Sequence, residues 1–322
     1  MTRVRRAVVA WLVVVALALG AGAVAVVALN ATAFGAAGFV RVYLEALSRG
    51  DAAGALAMPG VTVDPRVRAD FLADDALAGP SALREITVAP GDDGTEIVTV
   101  AWTRNGTDAV SAFTVERTGS RLALFPEWAF AVSPVATLQL GIDHDPRFDL
   151  NGVAAEAAAP AAFAVLVPGV YRLDHHSRYL QATAVDLVVD RPASELGAAL
   201  DVQPADGFLE RTTAQVHDAL DACVTQEVLF PTGCPMGHAI ADRVASAPVW
   251  SIVEYPELAV GPGLEPGTWA VVDAAFVAHL TVDVRSLFDG SVSTFDEDLP
   301  VTASYLVTIG ADDTTLRVEW RG

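Results

Sequence analysis

EIVTVAWTRNGTDAVSAFTVER, residues 96–117, consists of two runs of alternating apolar and polar side chains around Asn105-Gly106. Alternation with a period of two is typical of a β-strand that buries one face. The Asn-Gly pair favours a two-residue type I′ turn, because both central positions of that turn need a positive φ angle. The segment therefore predicts an antiparallel hairpin with strands at Glu96–Arg104 and Val110–Arg117.

A helix is predicted before this hairpin. Apolar residues recur at helical spacing from Phe39 to Leu56, and Pro59-Gly60 ends the pattern. Trp128 and Phe130 continue the strand pattern downstream of the hairpin. Together these features predict a helix-plus-antiparallel-sheet domain over residues 36–133.

The sequence pattern in the middle of the chain predicts strands and no helix. Leu138 and Leu140 alternate with polar or small residues, and Asn151-Gly152 is a second turn of the hairpin type. We expect a small all-β module over residues 135–190. The prolines and glycines of residues 191–207 then predict a linker.

Residues 208–322 repeat the order of a helix followed by strands. Helical spacing from Leu209 to Cys223 precedes a long alternating run from Trp269 to Arg285, whereas the acidic run Phe295–Asp298 predicts a loop. The predicted fold class is thus an N-terminal transmembrane helix followed by α+β, in which two helix-plus-sheet domains flank the small all-β module.

The transmembrane prediction comes from Ala7–Leu29, which carries no charge and follows three arginines. A helix over residues 7–29 would be about 35 Å long and could cross a bilayer, with residues 1–6 in the cytoplasm. The alternative is a signal peptide cleaved near Ala31-Thr32-Ala33, although its apolar run would be unusually long. Both interpretations place the rest of the chain outside the membrane, so we expect an extracytoplasmic protein at the cell membrane.

Composition excludes several functions. The net charge is −20 over 322 residues, which disfavours nucleic acid as a partner. All basic residues are arginine, so the lysine of a phosphate-binding P-loop, a pyridoxal-phosphate enzyme or an S-x-x-K acyl enzyme is missing. We predict no cofactor.

The two cysteines, Cys223 and Cys234, are expected to form a disulfide. A reactive thiol is the alternative, but the chain has no C-x-x-C motif.

Candidate ligand-binding residues come from the C-terminal domain. His279 and Asp273 share a face of the long strand, although about 20 Å of extended chain separates them, so either would need a partner from a neighbouring strand. Trp250 and Trp269 could line the same pocket, although core packing is the stronger interpretation.

Metal sites are not predicted. A calcium loop with Gly152 at its sixth position would have Arg147 and Ala158 at the first and twelfth positions, which require acidic ligands. His175 and His176 are adjacent on an extended chain and point to opposite faces, and His144 is the nearest further ligand in the sequence. No catalytic residues are assigned.

Two segments resemble known families. The pattern F-x-x-x-Y-L-x-A-L-x-x-G-D-A-x-x-A-L over Phe39–Leu56 resembles extracytoplasmic NTF2-like or cystatin-like domains. Asn151-Gly152, Phe163 and Pro168-Gly169-x-Tyr171 resemble the PEGA-type β modules of surface proteins, and the whole chain looks like an actinobacterial single-pass membrane protein. These resemblances imply binding or spacer modules without catalytic residues.

The sequence therefore predicts a membrane-anchored, extracytoplasmic, non-enzymatic binding or scaffold protein of the cell envelope, with an envelope protein as its partner. The alternative is a small-ligand carrier or an enzyme that uses a pocket in the C-terminal NTF2-like domain. The oligomeric state stays open.

Overall fold

A computed structural model describes residues 34–121, 124–310 and 315–321, together with Val8, Trp11, Leu12, residues 14–21 and Val24. The protein is mostly β, with 49% strand and 19% helix. The predicted α+β class, with its NTF2-like helix-plus-sheet layout, is therefore wrong. Most of the predicted linker 191–207 and the whole predicted acidic loop 295–298 form strands instead.

The predicted transmembrane helix is also overturned. Among the described residues, no helix combines the length and the apolar character needed to cross a membrane. Residues 1–6, predicted to be a cytoplasmic N-terminus, and many residues of the segment 7–29 lie outside the described part of the chain.

The first sheet has four strands in the order β1-β2-β3-β4. The hairpin between β2 and β3 is confirmed, since Arg104 pairs with Thr107 across a turn in which Asn105 and Gly106 have φ angles of 49° and 80°. Helix α1 lies against β1 and β2. The elements of this region are α1 (Ala36–Ser48), α2 (Ala52–Leu56), β1 (Ala82–Pro90), β2 (Glu96–Arg104), β3 (Thr107–Arg121) and β4 (Phe125–Phe130).

Tyr43 fixes α1 in the core. Its ring is fully buried against Phe113 and Phe130, and its hydroxyl donates to the carbonyl oxygens of Val167 at 2.8 Å and Pro134 at 3.1 Å. Burial raises the pKa of Tyr43, so the hydroxyl stays protonated and remains a donor.

A seven-stranded sheet follows, in the order β7-β6-β9-β10-β11-β5-β8. Strand β11 occupies most of the predicted linker, and Leu200 and Val202 are its buried alternate residues. These two apolar residues outweigh the flanking prolines, which lie at or beyond the ends of the strand. The strands are β5 (Val135–Asp143), β6 (Arg147–Leu150), β7 (Val153–Glu156), β8 (Ala161–Leu166), β9 (Gly169–His176), β10 (Leu180–Val189) and β11 (Glu195–Pro204).

The C-terminal region combines one helix with a six-stranded sheet. Its centre is a hairpin of two 18-residue strands, β15 and β16, and the second includes the predicted acidic loop 295–298. That segment is acidic because most of its side chains are exposed, not because it leaves the sheet. The elements are α3 (Asp206–Val224), β12 (Arg243–Val244), β13 (Val249–Glu254), β14 (Val260–Pro262), β15 (Thr268–Arg285), β16 (Val292–Ile309) and β17 (Leu316–Arg321).

The chain forms two compact units. Unit 1 comprises the described residues of Met1–Gly141, Phe148–Leu173 and Val185–Ala199, and it contains the four-stranded sheet. Unit 2 comprises those of Ile142–Arg147, Asp174–Ala184 and Leu200–Gly322, and it contains α3 and the six-stranded sheet.

Candidate functional site

Unit 1 contains a polar cavity of about 440 Å³. The turn of the β2–β3 hairpin, the β6–β7 turn, strands β9 and β10 and a short 3-10 turn at Asp74–Ala76 supply its wall. We call it the polar cavity. Its lining residues are Asp75, Leu77, Arg104, Asn105, Asn151, Gly152, Val170, Arg172 and Asp186.

Arg104 is the unusual residue of this cavity. It ends β2, and its Nη1 donates to the carbonyl oxygen of Gly79. Its Nε–H is buried and has no acceptor among the described residues, and the guanidinium forms no ion pair with any described carboxylate. A partly buried cation with unused donors favours binding of an anionic acceptor.

Gly79 places the acceptor of Arg104. A Cβ atom at Gly79 would lie 2.6 Å from Cβ and 2.8 Å from the carbonyl carbon of Leu47 in α1. Only a residue without a side chain allows this close approach of the two segments. This close packing fixes the carbonyl oxygen of Gly79 where it accepts the hydrogen bond from Arg104.

Asn151 connects two parts of the cavity wall through hydrogen bonds of its side chain. It has a φ angle of 52° in the β6–β7 turn, its Nδ2 donates to the carbonyl oxygen of Ala76 at 2.9 Å, and its Oδ1 accepts the N–H of Arg172 at 2.8 Å. The side chain thus uses both its donor and its acceptor within the wall. We assign Asn151 a positioning role.

The remaining charges of the cavity are two acids and one arginine. Arg172 and Asp186 form a long ion pair of 3.7 Å on the surface. Asp75 is exposed and, among the described residues, makes no ion pair or side-chain hydrogen bond. The polar cavity therefore carries one unpaired cation and one unpaired anion.

The nucleophilic groups in the described lining of the polar cavity are the carboxylates of Asp75 and Asp186. None of the described lining residues is a serine, threonine, cysteine, histidine or lysine. Tyr171, whose pKa Arg104 acts to lower, is buried and donates to the carbonyl oxygen of Leu166 at 2.7 Å. Burial dominates and raises the pKa of Tyr171, so it is not a base.

A second, larger cavity of about 710 Å³ lies between α1 and β4 in unit 1 and is mainly aromatic. Phe34 and Phe125 have ring centroids 4.5 Å apart, and the indole N–H of Trp128 donates to the carbonyl oxygen of Phe34 at 2.9 Å. Its charged residues, Arg121 and Glu127, lie 3.7 Å apart and pair with each other. Because the polar groups of this aromatic cavity satisfy one another, the polar cavity is the stronger candidate for binding a charged ligand.

Trp250 and Trp269, predicted to line a pocket, are buried in unit 2. Trp250 donates its indole N–H to the carbonyl oxygen of Val228 at 2.8 Å. Trp269 packs edge-on against Phe208 of α3, with ring centroids 5.7 Å apart. Both rings join the helix region to the sheet.

Asp273 lies at a β-bulge of β15. It has a φ angle of 53°, and the pairing with β16 shifts register between Val271 and Ala274. Its backbone N–H donates to Oγ of Ser304 at 3.3 Å. The bulge adds a residue to one strand and therefore moves Val271 to the face opposite to that of His279. The alternating sequence pattern of β15 assumes an unbroken strand and therefore does not predict this change of face.

The structure supplies the cross-strand partners that His279 needs. Asp298, directly opposite, lies 2.7 Å from Nδ1, and Asp296 lies 2.8 Å from Nε2. Hydrogen bonds to Asp298 and then Asp296 raise the pKa of His279.

Thr281 completes an arrangement that is similar in order to a hydroxyl–histidine–carboxylate triad. Its Oγ1 lies 3.1 Å from Nε2 of His279, but its hydroxyl donates to Asp296 at 2.9 Å. A triad base needs a neutral Nε2 that accepts the hydroxyl proton. Asp298 and Asp296 raise the pKa of His279, which disfavours the neutral imidazole that this role needs.

The predicted disulfide between Cys223 and Cys234 is present at the end of α3. Asp145 is completely buried and accepts hydrogen bonds from Arg147 Nε at 2.7 Å and Nη2 at 2.8 Å. His144 pairs with Asp201 at 2.9 Å. Among the described residues, no group of three or more potential ligands is placed to hold a metal ion.

No family model, curated protein or solved structure matches this chain. The candidate site therefore depends on geometry and charge alone.

Sequence reasoning missed Arg104 and Asp75, although one signal for Arg104 was available. Several arginines pair with an acid two residues away, whereas the corresponding neighbours of Arg104 are Trp102 and Gly106. The paired cases are Arg49 with Asp51, Arg66 with Asp64, Arg68 with Asp70, Arg147 with Asp145 and Arg317 with Glu319.

Proposed function

We propose that this protein is an extracytoplasmic, non-enzymatic binding protein that holds a small carboxylate-bearing ligand in the polar cavity. The observation that carries the proposal is the guanidinium of Arg104, which is partly buried, lines the cavity and pairs with no described carboxylate. A carboxylate matches the planar donors of a guanidinium and can accept two of its N–H groups.

The ligand is a carboxylate rather than a phosphate because of the other charges in the cavity. Asp75 and Asp186 line the same space and would repel a dianion more strongly than a monoanion. The net charge of −20 acts in the same direction over longer distances.

The disulfide supports the extracytoplasmic compartment. Bonds such as Cys223–Cys234 persist mainly in oxidising surroundings and are rare where thiols are kept reduced. The ligand would then be a solute that reaches the protein from outside the cytosol. The alternative of a ligand pocket at Trp250 and Trp269 has no support in the geometry, because both rings are buried in packing contacts.

Ligand-detected NMR with propionate as the probe tests the proposed binding. We expect the propionate signals to broaden with wild-type protein, and the broadening to disappear with Arg104→Gln. Arg84→Gln is the matched control, since Arg84 is an exposed arginine of the same sheet that pairs with Asp108 outside the cavity. Equal broadening with both variants, or none with wild type, would overturn the proposal.

Binding of an envelope protein is a second candidate function, favoured by the tip of the β15–β16 hairpin. Leu287 and Phe288 are 73% and 99% exposed there, although Ser286 and Asp289 order the turn through hydrogen bonds. An ordered turn that exposes large apolar side chains is suited to contact with a partner, because little backbone freedom is lost on binding. The acidic residues near the tip favour a partner whose apolar pocket has a basic rim.

In-cell cross-linking distinguishes this role from unspecific adhesion. We expect one cross-linked protein to be lost from the double variant Leu287→Ser/Phe288→Ser. It should be retained by the control Leu264→Ser, which removes a 96% exposed leucine elsewhere in unit 2. Identical cross-links from both variants would contradict a role for the tip.

A further inference from the structure

The polar cavity contains an unpaired acid as well as an unpaired guanidinium. We infer that its ligand is a zwitterion, a free α-amino acid or a short peptide, whose carboxylate binds Arg104 and whose ammonium group binds Asp75. This inference depends on the proposed function, because it identifies the class of ligand at the same site.

Asp75 is held in position by its neighbours on both sides. Oδ1 of Asp74 accepts the backbone N–H of Ala52 at 2.8 Å, and the carbonyl oxygen of Ala76 accepts from Asn151 at 2.9 Å. The short 3-10 turn is thus anchored to α2 and to the β6–β7 turn. Asp75, between these anchors, presents a carboxylate that the fold itself does not use.

Arg104 and Asp75 line one cavity without forming an ion pair. The buried Nε–H of Arg104 lacks an acceptor among the described residues, and the exposed carboxylate of Asp75 lines the same cavity. A molecule with a carboxylate and an ammonium group satisfies both at once. A simple carboxylate leaves Asp75 unpaired, and a simple amine leaves Arg104 unpaired.

The cavity limits the size and the side chain of this ligand. Its volume of about 440 Å³ lies in the lower part of the range for small-molecule sites, about 300–1,000 Å³. Leu77 and Val170 supply buried apolar wall. The site therefore suits an amino acid or dipeptide with a small apolar side chain, such as alanine or alanyl-alanine.

The test compares four probes: L-alanine, L-alanyl-L-alanine, propionate and ethylamine. Dissociation constants are measured by NMR titration of the whole protein. We expect alanine or alanyl-alanine to bind about fivefold more tightly than propionate, because an ion pair with an exposed carboxylate contributes at most on this scale. Whichever zwitterion binds more tightly identifies the source as free amino acid or peptide.

Two acid variants separate a specific role of Asp75 from a general charge effect. Asp75→Asn should remove the advantage of the zwitterion and leave propionate binding intact. Glu116→Gln removes an exposed acid of β3 that does not line the polar cavity, and it should change neither affinity. Circular dichroism of Asp75→Asn and Glu116→Gln verifies that each variant is folded.

The outcomes distinguish this inference from the proposed function. If Asp75→Asn leaves zwitterion and propionate affinities unchanged while Arg104→Gln abolishes both, the ligand is a plain carboxylate and the inference is overturned. If ethylamine binds as tightly as alanine, the ligand is an amine and both proposals fail. Both also fail if no probe binds wild-type protein.

Discussion

Arg104 and Asp75 line the same polar cavity of unit 1, and neither makes an ion pair with the other or with any other described residue. A partly buried guanidinium without a carboxylate partner lowers stability, so the unpaired state of Arg104 has a cost that a bound anion would remove. The fold anchors the two residues separately, Arg104 through Gly79 and the turn of Asp75 through Asn151. This separation supports the proposed binding of a ligand with two charges.

A site kept for a ligand should contribute little to folding. We predict that Arg104→Met lowers the free energy of unfolding by about 1 kcal/mol or less, because the variant removes one hydrogen bond and an unpaired charge. Arg147→Met is the contrast, since it leaves the buried carboxylate of Asp145 without its partner and should cost about 3–5 kcal/mol. Urea unfolding measures both, and a larger loss for Arg104→Met would assign Arg104 a structural role.

Gly79 links packing to binding. We expect Gly79→Ala to lower the free energy of unfolding by about 1–3 kcal/mol, because the added Cβ would overlap the backbone of Leu47. Relief of this overlap moves the backbone of residue 79 and displaces the carbonyl oxygen that Arg104 contacts. Propionate binding should therefore weaken as well. Gly141→Ala is the control, since a Cβ there has no atom within 4 Å. Equal unfolding midpoints for the two variants would contradict this account.

His279 should titrate above its ordinary range. Its pKa is raised from 6.5, by Asp298 first and Asp296 second, so the stabilisation from the imidazolium is fully present below about pH 6.5. That contribution is lost as the pH rises through the raised pKa of the folded protein.

Imidazole NMR signals followed against pH test this direction. Asp298→Asn and Asp296→Asn should each lower the pKa of His279. Glu297→Gln should leave it unchanged, because alternation places Glu297 on the opposite face of β16. A wild-type pKa at or below 6.5 would show that the carboxylates do not hold the imidazolium.

The disulfide should stabilise unit 2. Cys223 and Cys234 are 11 residues apart, and closing so short a loop contributes roughly 2–3 kcal/mol through the unfolded chain. We expect a reductant to lower the urea midpoint of the wild-type protein and to leave the double variant Cys223→Ala/Cys234→Ala unchanged. An unchanged wild-type midpoint under reducing conditions would contradict a stabilising role.

Local patterns were the part of the fold that the sequence predicted well. The turn at Asn105-Gly106 depends only on two adjacent residues that tolerate a positive φ angle, and it is found where the pattern placed it. Two cysteines close together in the sequence of an extracytoplasmic protein likewise predict a disulfide, and Cys223 and Cys234 form one. Both features need no information about distant parts of the chain.

The errors have a common physical cause, namely that long-range pairing decided the outcome. The prolines and glycines in and around β11 predict a linker, although Leu200 and Val202 bury one face of the strand once neighbouring strands are present. The bulge at Asp273 breaks a pattern that looks continuous in sequence. Arg104 and Asp75 meet in one cavity only through the packing of several turns, which no local pattern records.

The most direct test follows the Arg104 Nε–H signal in a ¹H–¹⁵N spectrum during titration with propionate at constant ionic strength. We predict that this signal, assigned by its absence from Arg104→Gln, shifts and saturates while that of Arg84 stays fixed. An Arg104 signal that stays fixed, or one that moves only in parallel with Arg84, would contradict carboxylate binding in the polar cavity.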